Sequence, residues 1–231
     1  QDPDPASIEP RVGDFLHALP GPTAIHVTGE DPSRTRALVT LSHGNEPSGL
    51  EAVHRWLRAG RKPRTNVVIV LGGAGIADKR WSKRRLKQIR TSRVDGVYQV
   101  VRAIDIAQQP PAVLIVASAV GYYGDTGRVL DDEFTPAGSD ALASLCLDWE
   151  NQAIRAERLC RVIRLRLGVV LDASGGALRK MLPVFRKGLG GRLGSGRQYM
   201  SWISWHDVVG IIDHLIGIDS ASGAYNLASP T

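Results

Sequence analysis

One unbroken apolar run, Ala-Val-Leu-Ile-Val-Ala at residues 112–117, limits what this 231-residue chain can fold into more than any other feature. The run is much shorter than the roughly 20 residues that a membrane-spanning helix needs. Its β-branched side chains and its lack of polar alternation are typical of a strand that is covered on both faces. The run therefore predicts the central strand of a parallel sheet with helices on both sides.

Three polar residues follow this strand directly: Ser118, Tyr122 and Tyr123. Ligands in open α/β sheets bind in the crevice at the carboxyl ends of the strands, which is where this stretch falls. A serine hydroxyl or a phenol at that edge can hold or move a proton. The competing interpretation is a capping role for Ser118 and a packing role for each tyrosine. Two later carboxylates, Glu133 and Glu150, are interpreted as helix-capping or solvated groups.

The rest of the chain alternates predicted strands with predicted helices. A helix over residues 82–108, interrupted near Ser92, precedes the central strand, and a helix over 141–158 follows it. The next strand is predicted at residues 161–167. Such alternation implies parallel βαβ units with right-handed crossovers. The expected fold class is therefore α/β, with a mostly parallel sheet and helices on both faces.

Three further strands are predicted nearer the amino end, at residues 23–28, 37–41 and 66–71. A short, turn-rich connection joins the first two, so we expect them to be neighbours in the sheet. A predicted helix over residues 50–59 joins the second strand to the third.

The composition is that of a soluble globular protein, with 43% hydrophobic and 23% charged residues. The first residues lack the basic and apolar parts of a signal peptide, and no apolar run is long enough to span a bilayer. Cys146 and Cys160 show no metal-binding spacing, which favours reduced thiols. These features predict a cytoplasmic protein without membrane association.

The net charge of +6 comes from a basic segment between residues 79 and 93. Apolar residues recur at helical spacing on one side of this segment, so the favoured interpretation is a solvated helix face. A role toward the phosphates of a dinucleotide or a phosphorylated substrate is the alternative. We do not expect nucleic acid as a partner, because no nucleic-acid-binding motif accompanies the charges.

A series of ordered motifs runs from residue 73 to the carboxyl end. They are Gly75-Ile-Ala-Asp-Lys-Arg-Trp81, Ser92-Arg-Val94, Ser118-Ala-Val-Gly-Tyr-Tyr-Gly124, Trp149-Glu150, Arg164-Leu-Arg-Leu-Gly-Val-Val-Leu171, the glycine-rich stretch 188–198, Trp202-Ile203 with Asp207, and Gly223-Ala-Tyr-Asn226. Together these motifs resemble the NAD(P)-dependent epimerase-like family of extended short-chain dehydrogenases/reductases. The resemblance implies a Rossmann-like fold, NAD(P) as cofactor and epimerase or oxidoreductase activity.

The resemblance also implies roles for individual residues. Its catalytic candidates are Ser118, the best match to the family's serine, and Tyr122 or Tyr123 as the source of a phenol. Its cofactor-binding candidates are Gly73, Arg93 and Ser118. The glycine-rich stretch becomes a loop on the substrate side, although it is also explained as a turn that needs glycine dihedral angles. The substrate-binding candidates on and after this loop are Arg192, Arg197, Gln198 and Trp202.

The chain departs from the family pattern at two places. Leu142 and Cys146 occupy the two positions at which the family's Tyr-x-x-x-Lys pair is expected. The glycine-rich fingerprint for dinucleotides is absent, and Gly73-Ala-Gly75 does not replace it, since Asp78 stands where a third glycine is needed. The resemblance therefore implies an NAD(P) protein with an incomplete nucleotide site.

A different motif, His43-Gly-Asn-Glu-Pro-Ser-Gly49, lies near the amino end. With the strand before it and the helix after it, this motif resembles the start of the zinc-dependent succinylglutamate desuccinylase/aspartoacylase family. The resemblance implies a zinc-carboxypeptidase-like βαβ segment in which His43 and Glu46 bind zinc. The family's third zinc ligand and its downstream Asp-Leu-Asn-Arg block have no match in this chain.

The two resemblances divide the chain into residues 1–72 and residues 73–231, as a composite protein. The favoured function is that of an NAD(P)-dependent epimerase or oxidoreductase acting on a small molecule. One alternative is a zinc-dependent amidohydrolase that uses His43 and Glu46, and another is a non-catalytic or artefactual fusion. The substrate, the choice between NAD and NADP, and the oligomeric state are left open.

Overall fold

The structure is a computed structural model. It describes residues 4–10, 23–40, 54, 57–60, 62, 65–71, 82–173, 176–192 and 194–230. Residues 82–173 form the longest uninterrupted part, and this part contains the predicted central strand and the helices around it.

A six-stranded sheet forms the centre of the molecule, with the strand order β1-β3-β2-β4-β5-β8. All its pairs are parallel except β1 with β3. Two short strands, β6 and β7, form a second parallel pair. The strands are β1 Thr23–Val27, β2 Asp31–Thr40, β3 Thr65–Leu71, β4 Val113–Ala119, β5 Arg161–Leu167, β6 Val169–Leu171, β7 Trp202–Ser204 and β8 Gly223–Leu227.

Helices connect the strands of the described carboxyl-terminal part. They are α1 Lys83–Arg90, a π-helical segment Thr91–Asp95, α2 Gly96–Asp105, α3 Ala141–Ile154, α4 Gly176–Arg186 and α5 Trp205–Gly217. The π-helical segment confirms the predicted interruption near Ser92. Side-chain caps start three of the helices, because the oxygens of Ser82, Asp140 and Ser204 accept bonds from first-turn N–H groups. No helix in the described part is long and apolar enough to cross a membrane.

The central strand β4 has an apolar face on each side of the sheet. Leu114 and Val116 pack with residues of α1, α2 and α3, whereas Val113 and Ile115 pack with residues of α5 and with Ile203 of β7. Successive strand residues point to opposite faces, so one apolar run serves both cores. The predicted α/β class, with a mostly parallel sheet and helices on both faces, is confirmed.

The order of the strands creates a topological switch point between β2 and β4. The chain passes from β2 to β3 on one side of the sheet and then crosses back to β4, β5 and β8 on the other side. β2 and β4 are parallel neighbours, with Ala37 opposite Leu114 and Leu38 opposite Ile115. The carboxyl ends of the two strands therefore flank the crevice in which doubly wound sheets bind ligands.

Strands from both sides of the predicted boundary at residue 73 join this one sheet. A separate zinc-carboxypeptidase-like segment at residues 1–72 is not shown by this arrangement. The boundary itself stays a prediction.

One expectation about the sheet is wrong: β1 and β2 are not neighbours. β3 lies between them, antiparallel to β1 and parallel to β2. From Val67 to Leu71 the residues of β3 are all apolar, whereas β1 and β2 each carry polar residues. A strand in the interior of a sheet pairs its backbone N–H and C=O groups on both edges, and the most apolar of the three strands takes that position. Composition thus outweighed the short connection between β1 and β2.

The apolar stretch that begins with β5 does not continue as one strand, because it changes sheets at Gly168. A Cβ atom on Gly168 would lie 2.9 Å from the backbone of Ser201, just before β7. The N–H of Val169 donates to the carbonyl of Ser201 at 2.8 Å. Only a glycine allows this close approach. The β6–β7 pair therefore starts directly at the carboxyl end of β5.

Candidate functional site

The carboxyl end of β4 carries a hydroxyl group that is hydrogen-bonded to a residue of a helix. Ser118 is the next-to-last residue of β4 and is fully buried. Its Oγ donates to Oε1 of Glu150 on α3 at 2.8 Å. Glu150 is itself only 1% exposed. Interpreting Glu150 as a capping or solvated carboxylate is therefore wrong.

Glu150 is buried because an arginine of the next strand neutralises it. Arg166 of β5 lies opposite Ser118 in the strand register. Its Nε donates to Glu150 Oε1 at 3.0 Å and its Nη2 donates to Oε2 at 2.9 Å. A second guanidinium, that of Arg164, lies 3.6 Å from Oε2. Two-point pairing of this kind satisfies both carboxylate oxygens and makes burial of the charges tolerable.

Tyr123 extends this arrangement to the last strand. Nη1 of Arg166 donates to the Tyr123 hydroxyl at 2.8 Å, and that hydroxyl donates to Oδ1 of Asn226 in β8 at 2.7 Å. Burial raises the pKa of Tyr123 above its ordinary value of 10.0, against the lowering effect of Arg166. The phenol is thus kept protonated as part of a buried chain of hydrogen bonds. We call Ser118, Tyr123, Glu150, Arg166 and Asn226 the edge network.

The edge network also fixes the loop after β4. The Glu133 carbonyl accepts from Nη1 of Arg166 at 3.2 Å, and its carboxylate accepts from the N–H of Asn226 at 2.7 Å. Nδ2 of Asn226 donates to the carbonyl of Asp131 at 3.4 Å. Glu133 is therefore tied to β8, rather than being a solvated or helix-capping group.

Tyr122 contacts the edge network through its ring alone. The guanidinium carbon of Arg166 lies 3.5 Å from the centre of the Tyr122 ring, and Tyr123 meets that ring edge-on at 5.3 Å. Within the described part of the chain, the Tyr122 hydroxyl has no hydrogen-bond partner, and the residue is half-buried. Of the three catalytic candidates, Tyr122 is the one whose polar atom is available to a ligand.

Leu142 and Cys146 lie on α3 beside the same strand end. A Cβ on Gly121 would lie 2.7 Å from Cδ2 of Leu142, so the leucine covers the turn after β4. Burial and the charge of Glu150 raise the pKa of the Cys146 thiol, which lies beside Ser118, to about 11. A buried thiol with such a pKa stays protonated and unreactive at neutral pH. Neither side chain provides the acid–base chemistry of a Tyr–Lys pair.

The basic segment contains two kinds of positive charge. Lys83, Arg84 and Lys87 of α1 are exposed, as expected of a solvated helix face. Arg93 is buried in the π-helical segment, where its Nη1 donates to the carbonyl of Ile89 at 3.3 Å and its Cζ lies 5.5 Å from the Trp149 ring centre. The structure thus places the cofactor candidate Arg93 between α1 and α3. Another cofactor candidate, Gly73, lies outside the described residues.

The substrate-side candidates lie away from the edge network, beyond β5. Arg192, Arg197 and Gln198 are exposed, and Trp202 of β7 is 43% exposed. The carbonyl of Trp202 accepts from the N–H of Ser229 at 2.7 Å, which joins β7 to the end of β8. We call these four exposed residues the surface beyond β5, because they follow that strand in the chain.

Sequence reasoning missed the roles of Glu150, Arg166 and Asn226. A usable signal was present in β5, where Arg161, Arg164 and Arg166 interrupt an apolar strand. An arginine at a buried strand position needs a carboxylate partner, and the helix that precedes β5 carries two carboxylates, Asp148 and Glu150. Sequence reasoning also missed a pocket of about 300 Å³ at the start of α5, lined by Ile203, His206, Asp207, Gly210, Ile211, Ala228, Ser229 and Pro230.

The expected zinc site gains no support from the structure. Among the described residues, no group of three or more His, Cys, Asp or Glu side chains could hold a metal ion. The proposed ligands His43 and Glu46 lie outside the described residues. The two cysteines are free thiols, as expected.

Several known proteins are similar to this chain. The Epimerase family protein Mb2239 of Mycobacterium bovis is 45% identical over 166 residues, which cover 71% of this chain and 54% of that protein. The chloroplastic SDR39U1 homolog of Arabidopsis thaliana is 40% identical over 168 residues, which cover 72% of this chain and 48% of that protein. The chain thus spans about half the length of these relatives.

Solved structures show the same fold. The crystal structure of human epimerase family protein SDR39U1 with NADPH superimposes with a TM-score of 0.65 at 34% identity, covering 69% of this chain and 55% of that one. A nucleoside-diphosphate sugar epimerase from Corynebacterium glutamicum gives a TM-score of 0.67 at 26% identity, covering 87% of this chain and 47% of that one. The sequence profile of one family, the NAD dependent epimerase/dehydratase family, matches residues 49–228. Because this match covers most of the chain, the chain belongs to the NAD dependent epimerase/dehydratase family.

Proposed function

We propose that this chain binds NAD(P) in the crevice between β2 and β4 and serves an epimerase or oxidoreductase reaction on a small molecule. The observation that carries the proposal is the switch point, where β2 and β4 are parallel neighbours and the chain leaves them in opposite directions. A doubly wound sheet binds dinucleotides across such a crevice. The human relative whose crystal structure contains NADPH supports the same cofactor class.

The residues present fit the dinucleotide in part. Ser118 and Tyr122 lie at the carboxyl edge of β4, as a ligand in the crevice requires. The sequence after β2, His43-Gly-Asn-Glu-Pro-Ser-Gly49, does not follow the fingerprint Gly-x-Gly-x-x-Gly. We therefore expect binding that is weaker than that of a protein with the complete fingerprint.

The fit to proton transfer is poorer than the fit to binding. The dinucleotide, when bound, supplies hydride chemistry, and its usual protein partners are a tyrosine and a lysine. Leu142 and Cys146 replace that pair, and Ser118 and Tyr123 use their hydroxyls within the edge network. Tyr122 is the described candidate that could hold a proton toward a ligand.

We propose the surface beyond β5 as the side that the small-molecule substrate contacts, with Arg192, Arg197, Gln198 and Trp202 as its polar and aromatic groups. The expected location is the cytoplasm. The hydrolase alternative on His43 and Glu46 has no described residue that supports it, and we do not propose it.

Calorimetric titration with NADPH and with NADH tests the proposed function. We expect saturable binding of one nucleotide per chain, with a dissociation constant between about 1 μM and 1 mM. The titration is run on protein that shows a cooperative unfolding transition, so that absence of binding is not absence of fold. A folded protein that shows no saturable heat with either nucleotide at millimolar concentrations refutes the proposal.

A further inference from the structure

We propose that Tyr122 contacts the nicotinamide half of the bound dinucleotide, and that Arg166 is the positioning residue that fixes the Tyr122 ring for this contact. The inference rests on the proposed function. It concerns a tyrosine that sequence reasoning could not separate from its neighbour Tyr123.

The hydrogen bonds of the three candidate hydroxyls distinguish Tyr122 from Ser118 and Tyr123. The Ser118 hydroxyl donates to Glu150, and the Tyr123 hydroxyl accepts from Arg166 and donates to Asn226. Both groups are buried, with exposed fractions of 0% and 7%. The Tyr122 hydroxyl has no partner in the described part of the chain, and its ring is only half-buried. A ligand at this edge therefore meets the Tyr122 phenol without breaking a bond inside the protein.

Arg166 is placed to hold the Tyr122 ring still. Its guanidinium makes four hydrogen bonds: two to Glu150, one to Tyr123 and one to the Glu133 carbonyl. A guanidinium has five N–H donors, so little freedom to rotate remains. Its Cζ lies over the Tyr122 ring, 3.5 Å from the ring centre. Cation–π attraction to a fixed cation then fixes the orientation of the ring.

The position of β4 in the sheet decides which half of the dinucleotide Tyr122 contacts. In a doubly wound sheet, the first half binds the pyrophosphate at its first turn and the adenosine ribose at the end of its second strand. Here β2 and β3 stand in that first half, and β4 opens the second half across the switch point. Tyr122 follows β4 after three residues, so it faces the nicotinamide half rather than the adenosine half.

Tyr122→Phe is the direct test, because it removes one hydroxyl and keeps the ring that lies against the Arg166 guanidinium. We expect the dissociation constant for NADPH to rise about five- to tenfold, the range for loss of one hydrogen bond. The affinity for adenosine 2′,5′-bisphosphate, which lacks the nicotinamide half, should stay unchanged. Tyr98→Phe, on the outer side of α2, is the matched control and should alter neither affinity.

The positioning role of Arg166 is tested by a double-mutant cycle. Arg166→Lys keeps the positive charge but loses the two-point pairing and the flat stacking surface. If Arg166 acts through Tyr122, then Tyr122→Phe should weaken NADPH binding in the wild-type background but have no further effect in the Arg166→Lys background. If Arg166→Lys does not unfold cooperatively, Glu150→Gln, which loosens the same guanidinium, replaces it in the cycle.

The outcomes separate this inference from the proposed function. If wild-type protein does not bind NADPH, the proposed function fails. If wild-type protein binds NADPH and Tyr122→Phe binds it equally well, the inference fails and the proposed function stands. An equal weakening of NADPH and of adenosine 2′,5′-bisphosphate also overturns the assignment to the nicotinamide half. An equal effect of Tyr122→Phe in both backgrounds overturns the positioning role.

Discussion

The edge network and the exposed side chains that follow β5 in the chain are built in opposite ways. In the edge network every charged or hydroxyl group meets a partner, and its members Ser118, Glu150 and Arg166 are at most 3% exposed. The chain after β5 also carries a set of exposed apolar and aromatic side chains that we call the outer face. It consists of Phe185, Leu189, Tyr199, Met200 and Trp202, which are 43–73% exposed.

The difference shows which part stabilises the fold and which part is free to contact another molecule. The edge network joins β4, α3, β5 and β8 by hydrogen bonds that close on one another. Removing one partner leaves a buried polar group without a hydrogen bond, which lowers the free energy of unfolding. The side chains of the outer face bury little area, so their removal should cost the fold little. Three substitutions test this comparison.

The largest effect is expected from Glu150→Ala in the edge network. This substitution leaves the guanidinium of Arg166 buried without its carboxylate and removes the acceptor of Ser118. Breaking a buried ion pair in this way costs about 3–5 kcal/mol in the free energy of unfolding. Urea denaturation followed by circular dichroism measures the loss.

The matched control is Glu157→Ala, which removes an exposed carboxylate just after α3. It should change the free energy of unfolding by less than about 0.5 kcal/mol. A loss below about 1 kcal/mol for Glu150→Ala would contradict the view that the edge network stabilises the fold.

The parts of the fold that the sequence predicted are those set by local patterns. The run of apolar residues in β4 and the predicted start of a helix at residue 141 each depend on a few residues of chain, so both could be placed without knowledge of the fold. The neighbours of β1 could not, because strand pairing depends on residues far apart in sequence. The edge network was missed for the same reason. Its link between Tyr123 and Asn226 joins positions 103 residues apart, and the sequence shows only two unremarkable polar residues.

A smaller effect, with a characteristic pH dependence, is expected from Tyr123→Phe. The substitution leaves Oδ1 of Asn226 and one N–H of Arg166 without a partner, at a cost of about 1–3 kcal/mol. Because burial raises the pKa of Tyr123 above 10.0, the folded state retains this proton at pH values where the unfolded chain loses it. The stabilisation by the buried phenol is therefore complete below pH 10 and declines as the pH rises through the raised pKa.

Unfolding by urea at several pH values between about 8 and 11 measures this dependence. The wild-type free energy of unfolding should fall more steeply above pH 10 than that of Tyr123→Phe. Parallel curves for the two proteins would show that the phenol of Tyr123 is not held protonated by the fold, and would weaken the contrast between the edge network and the outer face.

The smallest effect is expected from Tyr199→Ser on the outer face. This tyrosine is 71% exposed, and its replacement removes an entire ring instead of a single hydroxyl. If burial determines the contribution to stability, this larger chemical change should alter the free energy of unfolding by less than about 0.5 kcal/mol, well below the cost of Tyr123→Phe. The same urea titration, run on both variants, compares them directly. A loss of more than about 1 kcal/mol for Tyr199→Ser would mean that the ring is covered in solution, and the outer face would then belong to the packed part of the molecule rather than to a surface open to a substrate.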